Sequence, residues 1–266
     1  MKYALITGAY GGMGSKTVEE FTSQGYTVFA LDRKTKETSG NVIPIEVDLT
    51  YAESVKNAFE IVKNYTDRLD VIIHFAGMYN LDSLIEIKDD DFDKIFKVNV
   101  YSVFYVNKTF MPLLKSGSKI IMTTSELAPL NPLPFTGIYA ITKSTLDKYA
   151  YSLKMELQLL GVHVSVLRAG AVDTGMIGAS TTALDKFCSN TAIYQCNAER
   201  FKKIVDGVEA KKIAPIKIAK KVYKIASKKK PKFIYAINRN KLLLLLNVLP
   251  KRMQFWVIKA ILKKWY

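Results

Sequence analysis

Residues 2–14, Lys2-Tyr3-Ala4-Leu5-Ile6-Thr7-Gly8-Ala9-Tyr10-Gly11-Gly12-Met13-Gly14, set a short apolar strand directly against a glycine turn. Tyr3–Thr7 reads as the strand, and a helix is expected to open at about Gly14. The spacing is T-G-x3-G-x-G. Glycine suits such a turn because the chain reverses sharply, a phosphate must approach bare backbone, and the helix must pack closely on the strand. Free amides at the helix start, together with its positive end, then make an anion site from Gly8, Tyr10, Gly12, Met13 and Gly14. Alone, a glycine turn is a weak signal, and its context carries the weight.

That context is an alternation of strands and helices. Further strands are expected near Thr27–Leu31, Val42–Glu46, Val71–Phe75, Lys119–Thr123, His163–Arg168 and Phe233–Ile237, with helical patterns between them. The strands are nearly all apolar, as strands are when helices cover both faces of a parallel sheet. The expected fold class is therefore α/β, a doubly wound, Rossmann-like parallel sheet of seven strands. The 266 residues contain no Pro/Gly/Ser linker and no repeat, so a single domain 1–266 is expected. Residues 175–212 interrupt the alternation before the last strand, and an insertion there falls near the carboxyl ends of strands, where ligands bind.

Asp32 follows the second strand, 18 residues after Gly14. A carboxylate there accepts hydrogen bonds from both hydroxyls of an adenosine ribose and repels a 2′-phosphate, so NAD is expected over NADP. Arg33 and Lys34 soften that exclusion. Asp48-Leu49, after the third strand, would set a carboxylate near an adenine amino group and an apolar side chain beside the ring.

Tyr139 and Lys143 stand four residues apart, on one face of the following helix. A phenol with a reference pKa near 10 needs a shift of about 3 units, roughly 4 kcal/mol, to serve as an acid/base near neutrality. Nearby positive charge works in that direction. The same pattern is common as a surface pair, so its neighbours decide. Ser125, fourteen residues before Tyr139, stands just past the fifth strand and could hold a substrate oxygen. Thr124 rivals it by register, and Glu126 reads as a solvated or locally capping group. Asn99 reads either as a helix cap or as the holder of a water that relays protons.

These motifs in this order resemble the single-domain branch of the short-chain dehydrogenase/reductase family over nearly the whole chain. Ala76-Gly77 and Arg168-Ala169-Gly170-Ala171-Val172-x-Thr174 complete the likeness. The resemblance implies that Tyr139 is the acid/base, that Lys143 lowers its pKa and binds the nicotinamide ribose, and that Ser125 orients the carbonyl or alcohol oxygen. It further implies that Asn99 anchors the relay water, that Ala76, Gly77 and Val172 border the cofactor, that Thr174 lies near its carboxamide, and that the chain forms a homodimer or homotetramer. Two positions depart from the pattern: Phe75 replaces a sheet-stabilising asparagine, and Ala169 replaces a proline. His74 reads as a packed, satisfied side chain.

Cys188 and Cys196 match no zinc spacing and no disulfide framework, so reduced thiols in a cytoplasmic protein with no metal are expected. From Arg200 to Tyr266 there are 20 Lys/Arg against 2 Asp/Glu, whereas residues 1–199 carry a net charge of −3. No nucleic-acid recognition motif accompanies that basic stretch, and no nucleic-acid partner is expected. The run Leu242–Leu249 stops well short of the ~20 apolar residues that span a bilayer. The tail, residues 241–266, mixes Phe255, Trp256, Ile258, Ile261, Leu262 and Trp265 with lysines. It suits either an anionic membrane surface, in a protein peripheral to it, or docking on the body or a sister subunit. Met176, Ile177, Leu184, Phe187, Ile193 and Tyr194 would line or cover a bulky lipophilic alcohol or ketone, such as a hydroxysteroid, a retinoid or a fatty alcohol. The other class left open is a catalytically silent NAD-binding regulator.

Overall fold

The computed structural model describes residues 1–35, 37, 40–209 and 212–263, and only the backbone of 175–182 and 206–209. Met176, Ile177 and Trp265 thus lie outside the described side chains. The strands β1 (Lys2–Thr7), β2 (Tyr26–Asp32), β3 (Val42–Glu46), β4 (Leu69–His74), β5 (Leu114–Ser125), β6 (His163–Ala169) and β7 (Ile234–Ile237) form one sheet of order β3-β2-β1-β4-β5-β6-β7. Every neighbouring pair is parallel.

Alternate residues of a strand face opposite sides, and both sides here are apolar. Leu5, Phe29, Ile72 and Ile120 pack with α2 (Ala52–Lys63), α4 (Ser102–Phe110) and α5 (Gly137–Leu157). Ile6, Val28, Val71 and Ile121 pack with α1 (Gly12–Ser23) and α8 (Pro215–Ala226). Strand order reverses between β1 and β4, and the crevice at that point is where such sheets take ligands. Two bonds tie its base: Phe75 N donates to Thr7 O at 3.1 Å and Ala76 N to Thr7 Oγ1 at 3.3 Å.

Helix α1 begins at Gly12, two residues before the expected start, because Gly11 already holds the extended cap conformation (φ −70°, ψ 170°). Asn99 does not cap a helix. It lies in a π-helical turn, Lys97–Tyr101, between α3 (Asp89–Phe96) and α4. The insertion folds as α6 (Gly175–Asn190) and α7 (Gln195–Glu209), and Glu86 fastens the loop between them by accepting from Thr191 Oγ1 at 2.7 Å and Ala192 N at 2.8 Å.

The tail docks on the body as α9 (Lys241–Val248) and α10 (Lys251–Leu262). Leu262 joins Leu81, Leu184 and Phe201 in a small core of its own. Asn131 donates from its backbone to Asn247 Oδ1 at 2.7 Å and from Nδ2 to Gln254 Oε1 at 3.0 Å, while Gln254 Nε2 donates to Leu249 O at 2.7 Å. Among the described residues no helix is long and apolar enough to cross a membrane.

Candidate active site

The glycine turn is dictated by contact. Gly8 holds φ +65°, and a Cβ there would sit 2.7 Å from Ala76 N; one on Gly14 would sit 2.0 Å from Gly8 O. No side chain caps α1, so the amides of Gly12, Met13 and Gly14 keep their hydrogens for an external acceptor. Asp32 Oδ2 accepts the Tyr10 N–H at 2.9 Å and Oδ1 accepts the Arg33 N–H at 2.8 Å, which aims this carboxylate at the glycine turn. Asp48 Oδ1 instead accepts from Thr50 N at 2.9 Å and Thr50 Oγ1 at 2.7 Å and closes the turn ahead of α2, with Leu49 buried beside it.

At the other end of the crevice, Tyr139 and Lys143 are both buried on the first turns of α5. The Lys143 ammonium lies 5.6 Å from the Tyr139 ring centre, and the Tyr79 ring lies 4.6 Å from that of Tyr139. Ser125 hydrogen-bonds Tyr139 and accepts the Leu127 N–H at 3.2 Å. Ser125 is the last residue of β5 rather than the first beyond it. Thr124, its rival, has a buried hydroxyl with no partner among the described residues, and so has Thr123. Burial pushes the Tyr139 phenol up to about 12, partly offset by the Ser125 hydrogen bond, and burial brings the Lys143 ammonium down to about 8. Burial is the largest influence on each group, and it keeps the Tyr139 phenol protonated at neutral pH.

Asn99 is fully engaged. Its Oδ1 accepts the Met78 N–H at 2.7 Å, and its Nδ2 donates to Met78 O and to Thr142 Oγ1, both at 3.0 Å. It thereby locks the π turn to the segment after β4 and to α5. Gly77 leaves room beside this junction, since a Cβ there would lie 3.3 Å from Asn99 Oδ1 and 3.5 Å from Lys143 Nζ. The one hydrogen bond of Lys143 among the described residues, to Thr123 O, is 3.5 Å long. A buried ammonium with three donors and one long bond, uncapped amides at α1 and the Asp32 carboxylate fit a dinucleotide: phosphates at the amides, ribose hydroxyls at the two charged groups.

The departures from the family pattern are absorbed locally. The Phe75 backbone keeps its bond to β1 while its ring enters the core. Gly170 packs so tightly that a Cβ would lie 1.8 Å from Asn238 O, and this holds the turn after β6 without proline. His74 is buried and its Nε2 lies 2.9 Å from Asn107 Oδ1; because Asn107 Nδ2 donates to Tyr149 Oη, the His74 nitrogen is the donor.

A cavity of about 350 Å³ opens on Ser125 and Tyr139. Met13, Val172 and Thr174 reach it from the nucleotide end, and Leu243, Leu246 and Ile258 of the docked tail wall it on the other. Asp32, Asp48 and Leu49 do not line it. Thr174 also packs on the turn, where a Gly12 Cβ would lie 2.6 Å from its Cβ. Sequence reasoning missed Tyr79, Asn240 and Glu126 at this site. Glu126 is neither solvated nor a local cap: it is buried, lines the cavity, and its Oε2 accepts the N–H of Asn240, whose own side chain caps α9. Spacing gives no signal for a pair 114 residues apart.

Residues 2–185 match the short chain dehydrogenase family. The chain is 26% identical over 230 residues to the 3-ketodihydrosphingosine reductase of Bacteroides thetaiotaomicron, covering 86% of this chain and 85% of that one. It is 28% identical over 213 residues to the 3-oxoacyl-[acyl-carrier-protein] reductase FabG of Thermotoga maritima, covering 76% and 85%. Its fold matches a short-chain dehydrogenase from Streptomyces avermitilis with a TM-score of 0.77 at 17% identity, over 97% of this chain and 96% of that one. With the glycine turn, the Ser125–Tyr139–Lys143 cluster and the seven-stranded sheet in one chain, this protein belongs to the short-chain dehydrogenase/reductase family, oxidoreductases that use a nicotinamide cofactor.

Proposed function

We propose that this chain is an NAD-linked dehydrogenase/reductase that interconverts a ketone and a secondary alcohol on a bulky, lipophilic substrate. The observation that carries the reading is the buried Tyr139–Ser125 pair, with Lys143 alongside, at the floor of a largely apolar cavity. A nicotinamide dinucleotide supplies the hydride donor or acceptor when bound. Gly8, Tyr10, Gly12, Met13 and Gly14 would hold its phosphates, Asp32 with Arg33 beside it the adenosine ribose, and Asp48 and Leu49 the adenine. Ala76, Gly77, Val172 and Thr174 would border the remainder. Asp32 favours NAD over NADP by repelling a 2′-phosphate.

Tyr139 Oη passes its proton to the ketone oxygen on reduction and takes it back on oxidation. Ser125 Oγ fixes that oxygen. Lys143 contributes positive charge that favours the phenolate as the proton leaves, and its unused donors suit ribose hydroxyls. The side chain of Asn99 is spent on Met78 and Thr142, so its share in a proton relay falls to its backbone carbonyl in the π turn. A hydroxysteroid fits the apolar lining as a class. The two relatives named above, both 3-oxo reductases by name, favour a ketone on a long chain.

Exposed Tyr101, Phe104, Tyr151 and Met155, on the π turn, α4 and α5, suit a homodimer or homotetramer. Exposed Val248, Phe255 and Trp256 suit contact with an anionic bilayer. The chemistry is tested by absorbance at 340 nm over ketones of graded chain length with NADH and NADPH. Tyr139→Phe is expected to lower kcat by about 10²–10⁴-fold, the usual size of a general acid contribution, with NADH affinity held within a few-fold. Wild-type turnover in that variant ends the assignment.

A further inference from the structure

Helix α10 walls two hollows. Its Val257 and Ile261 line the catalytic cavity, its Ile258 and Leu262 line both, and Lys251, Phe255 and Lys259 line a groove of about 760 Å³ on the other side. From Lys251 to Leu262 the groove residues recur at i, i+4, i+7, i+8 and i+11, which makes them one stripe of the helix. Opposite stand Leu84 and Ile85, ahead of α3, and residues 131–135, ahead of α5. The groove has the size of a small-molecule site, roughly 300–1,000 Å³. Its floor is apolar, and Leu84, Ile85 and Phe255 stay 54%, 71% and 72% exposed, a patch that neither the core nor the catalytic cavity uses. Its rim is cationic: Lys251, Lys259 and Lys263 line it, with no Asp or Glu among the described lining residues. Neither Lys251 nor Lys259 has an acid within ion-pair distance among the described residues. Glu86, the acid next to Ile85, is spent on Thr191 Oγ1 and Ala192 N.

We propose that this groove binds one single-chain anionic lipid, with its hydrocarbon chain along Leu84, Phe255 and Ile258 and its headgroup at Lys251 and Lys259. An apolar trough edged by lysines on apolar stems is complementary to such a molecule, and a charge-assisted hydrogen bond from an ammonium fixes the head. The occupant is distinct from the substrate. Neither Ser125 nor Tyr139 lines the groove, and no Lys or Arg lines the catalytic cavity among the described residues. It is distinct from a bilayer as well, since Val248 and Trp256, the side chains suited to a flat membrane surface, lie outside the groove. Because Ile258 and Leu262 belong to both hollows, a lipid seated here backs the wall of the catalytic cavity.

The test is calorimetric titration of dodecanoate into the full-length protein, below the concentration at which dodecanoate aggregates. One site per chain is expected. Dodecyltrimethylammonium, with the same length of chain and the opposite charge, is expected to bind about tenfold more weakly or worse, and hexanoate, six methylenes shorter, about 100-fold more weakly. Lys251→Gln with Lys259→Gln should lower dodecanoate affinity about tenfold. Lys229→Gln with Lys230→Gln removes the same charge from exposed lysines outside the groove and should change it by less than about twofold. Equal losses in the two lysine pairs would assign binding to the diffuse charge of the last quarter of the chain, and no loss in either would place the lipid in the catalytic cavity; both overturn the proposal. So does binding that begins only when dodecanoate aggregates, which is the behaviour of a membrane surface. Sedimentation of the protein alone reads the remaining occupant: a dimer that Leu84→Ser with Ile85→Ser dissociates gives the groove to a second copy of this chain and removes the lipid.

Discussion

At the scale of single residues, some buried titratable groups serve the chemistry and others, His74 among them, serve the fold. His74 is 3% exposed, and burial holds its imidazole down at about 4 against an ordinary value near 6.5. The unfolded chain therefore takes up a proton as pH falls through 6.5, while the folded protein does not until about 4. Stability is at its full value above pH 6.5 and is lost between 6.5 and 4, by about 3 kcal/mol in all and most of it by pH 4.5. His74→Gln keeps a donor for Asn107 and removes the titration, so its urea midpoint is expected to fall less between pH 7 and pH 4.5 than that of the wild type; parallel falls refute the assignment. Tyr139 and Lys143 were legible as a pair because one helical turn sets their spacing, and His74 as a packed side chain because an apolar strand carries it, although its partner Asn107 stands 33 residues away. Glu126 was not, because what makes it more than a surface acid is Asn240, at the far side of the chain. Asn99 was half legible: its place was clear, but the π turn that consumes its amide arises only once Met78 and Thr142 are packed around it.

At the scale of elements, the parallel strands announced themselves through continuous apolar runs, and even the interrupted stretch before β7 fell where the alternation failed. The tail did not declare its inner face, since a helix with apolar residues around much of its surface suits docking and a bilayer equally well. What selects docking is polar and specific. Buried Gln254 bridges Asn131 Nδ2 and Leu249 O, and its loss leaves both without this partner. Gln254→Ala is expected to cost about 1–3 kcal/mol of local stability. That raises the opened population of α10 roughly five- to 150-fold, and trypsin cleavage after Lys251, Arg252 and Lys259 should accelerate with it, because cleavage tracks opening when closing is fast. Because α9 and α10 wall the cavity, KM for a long-chain ketone should rise in the same variant more than KM for a short one. Unchanged cleavage would show that the apolar contacts of Leu262 and Ile258 hold the tail without the polar bridge.

At the scale of the whole molecule, charge and apolar exposure are segregated in the same direction. The last 67 residues carry 20 of the 39 Lys/Arg and only 2 of the 24 Asp/Glu. Within them, the docked helices turn one face to the cavity and leave Val248, Met253, Phe255 and Trp256 exposed next to Lys251 and Arg252. With no described helix able to span a bilayer, the proposed membrane contact would be made from one side: lysines and arginines would approach anionic headgroups, each contributing about 1 kcal/mol near the surface, while the aromatic side chains would enter the interface. A lipophilic substrate would then meet the protein where its cavity wall faces the lipid. Attraction of this kind weakens as the Debye length contracts from about 8 Å at 0.15 M salt towards 3 Å at 1 M. The protein is expected to float with vesicles containing 30% phosphatidylglycerol, to release progressively as sodium chloride is raised, and to leave pure phosphatidylcholine vesicles unbound. Val248→Ser with Trp256→Ser should weaken flotation several-fold without disturbing the docked helices, since both side chains point away from the body. Deleting residues 241–266 would be a poorer test, because it also strips the cavity wall. Equal flotation on neutral and anionic vesicles, or no effect of the double variant, would mean that the basic surface serves solubility and that the substrate arrives through water.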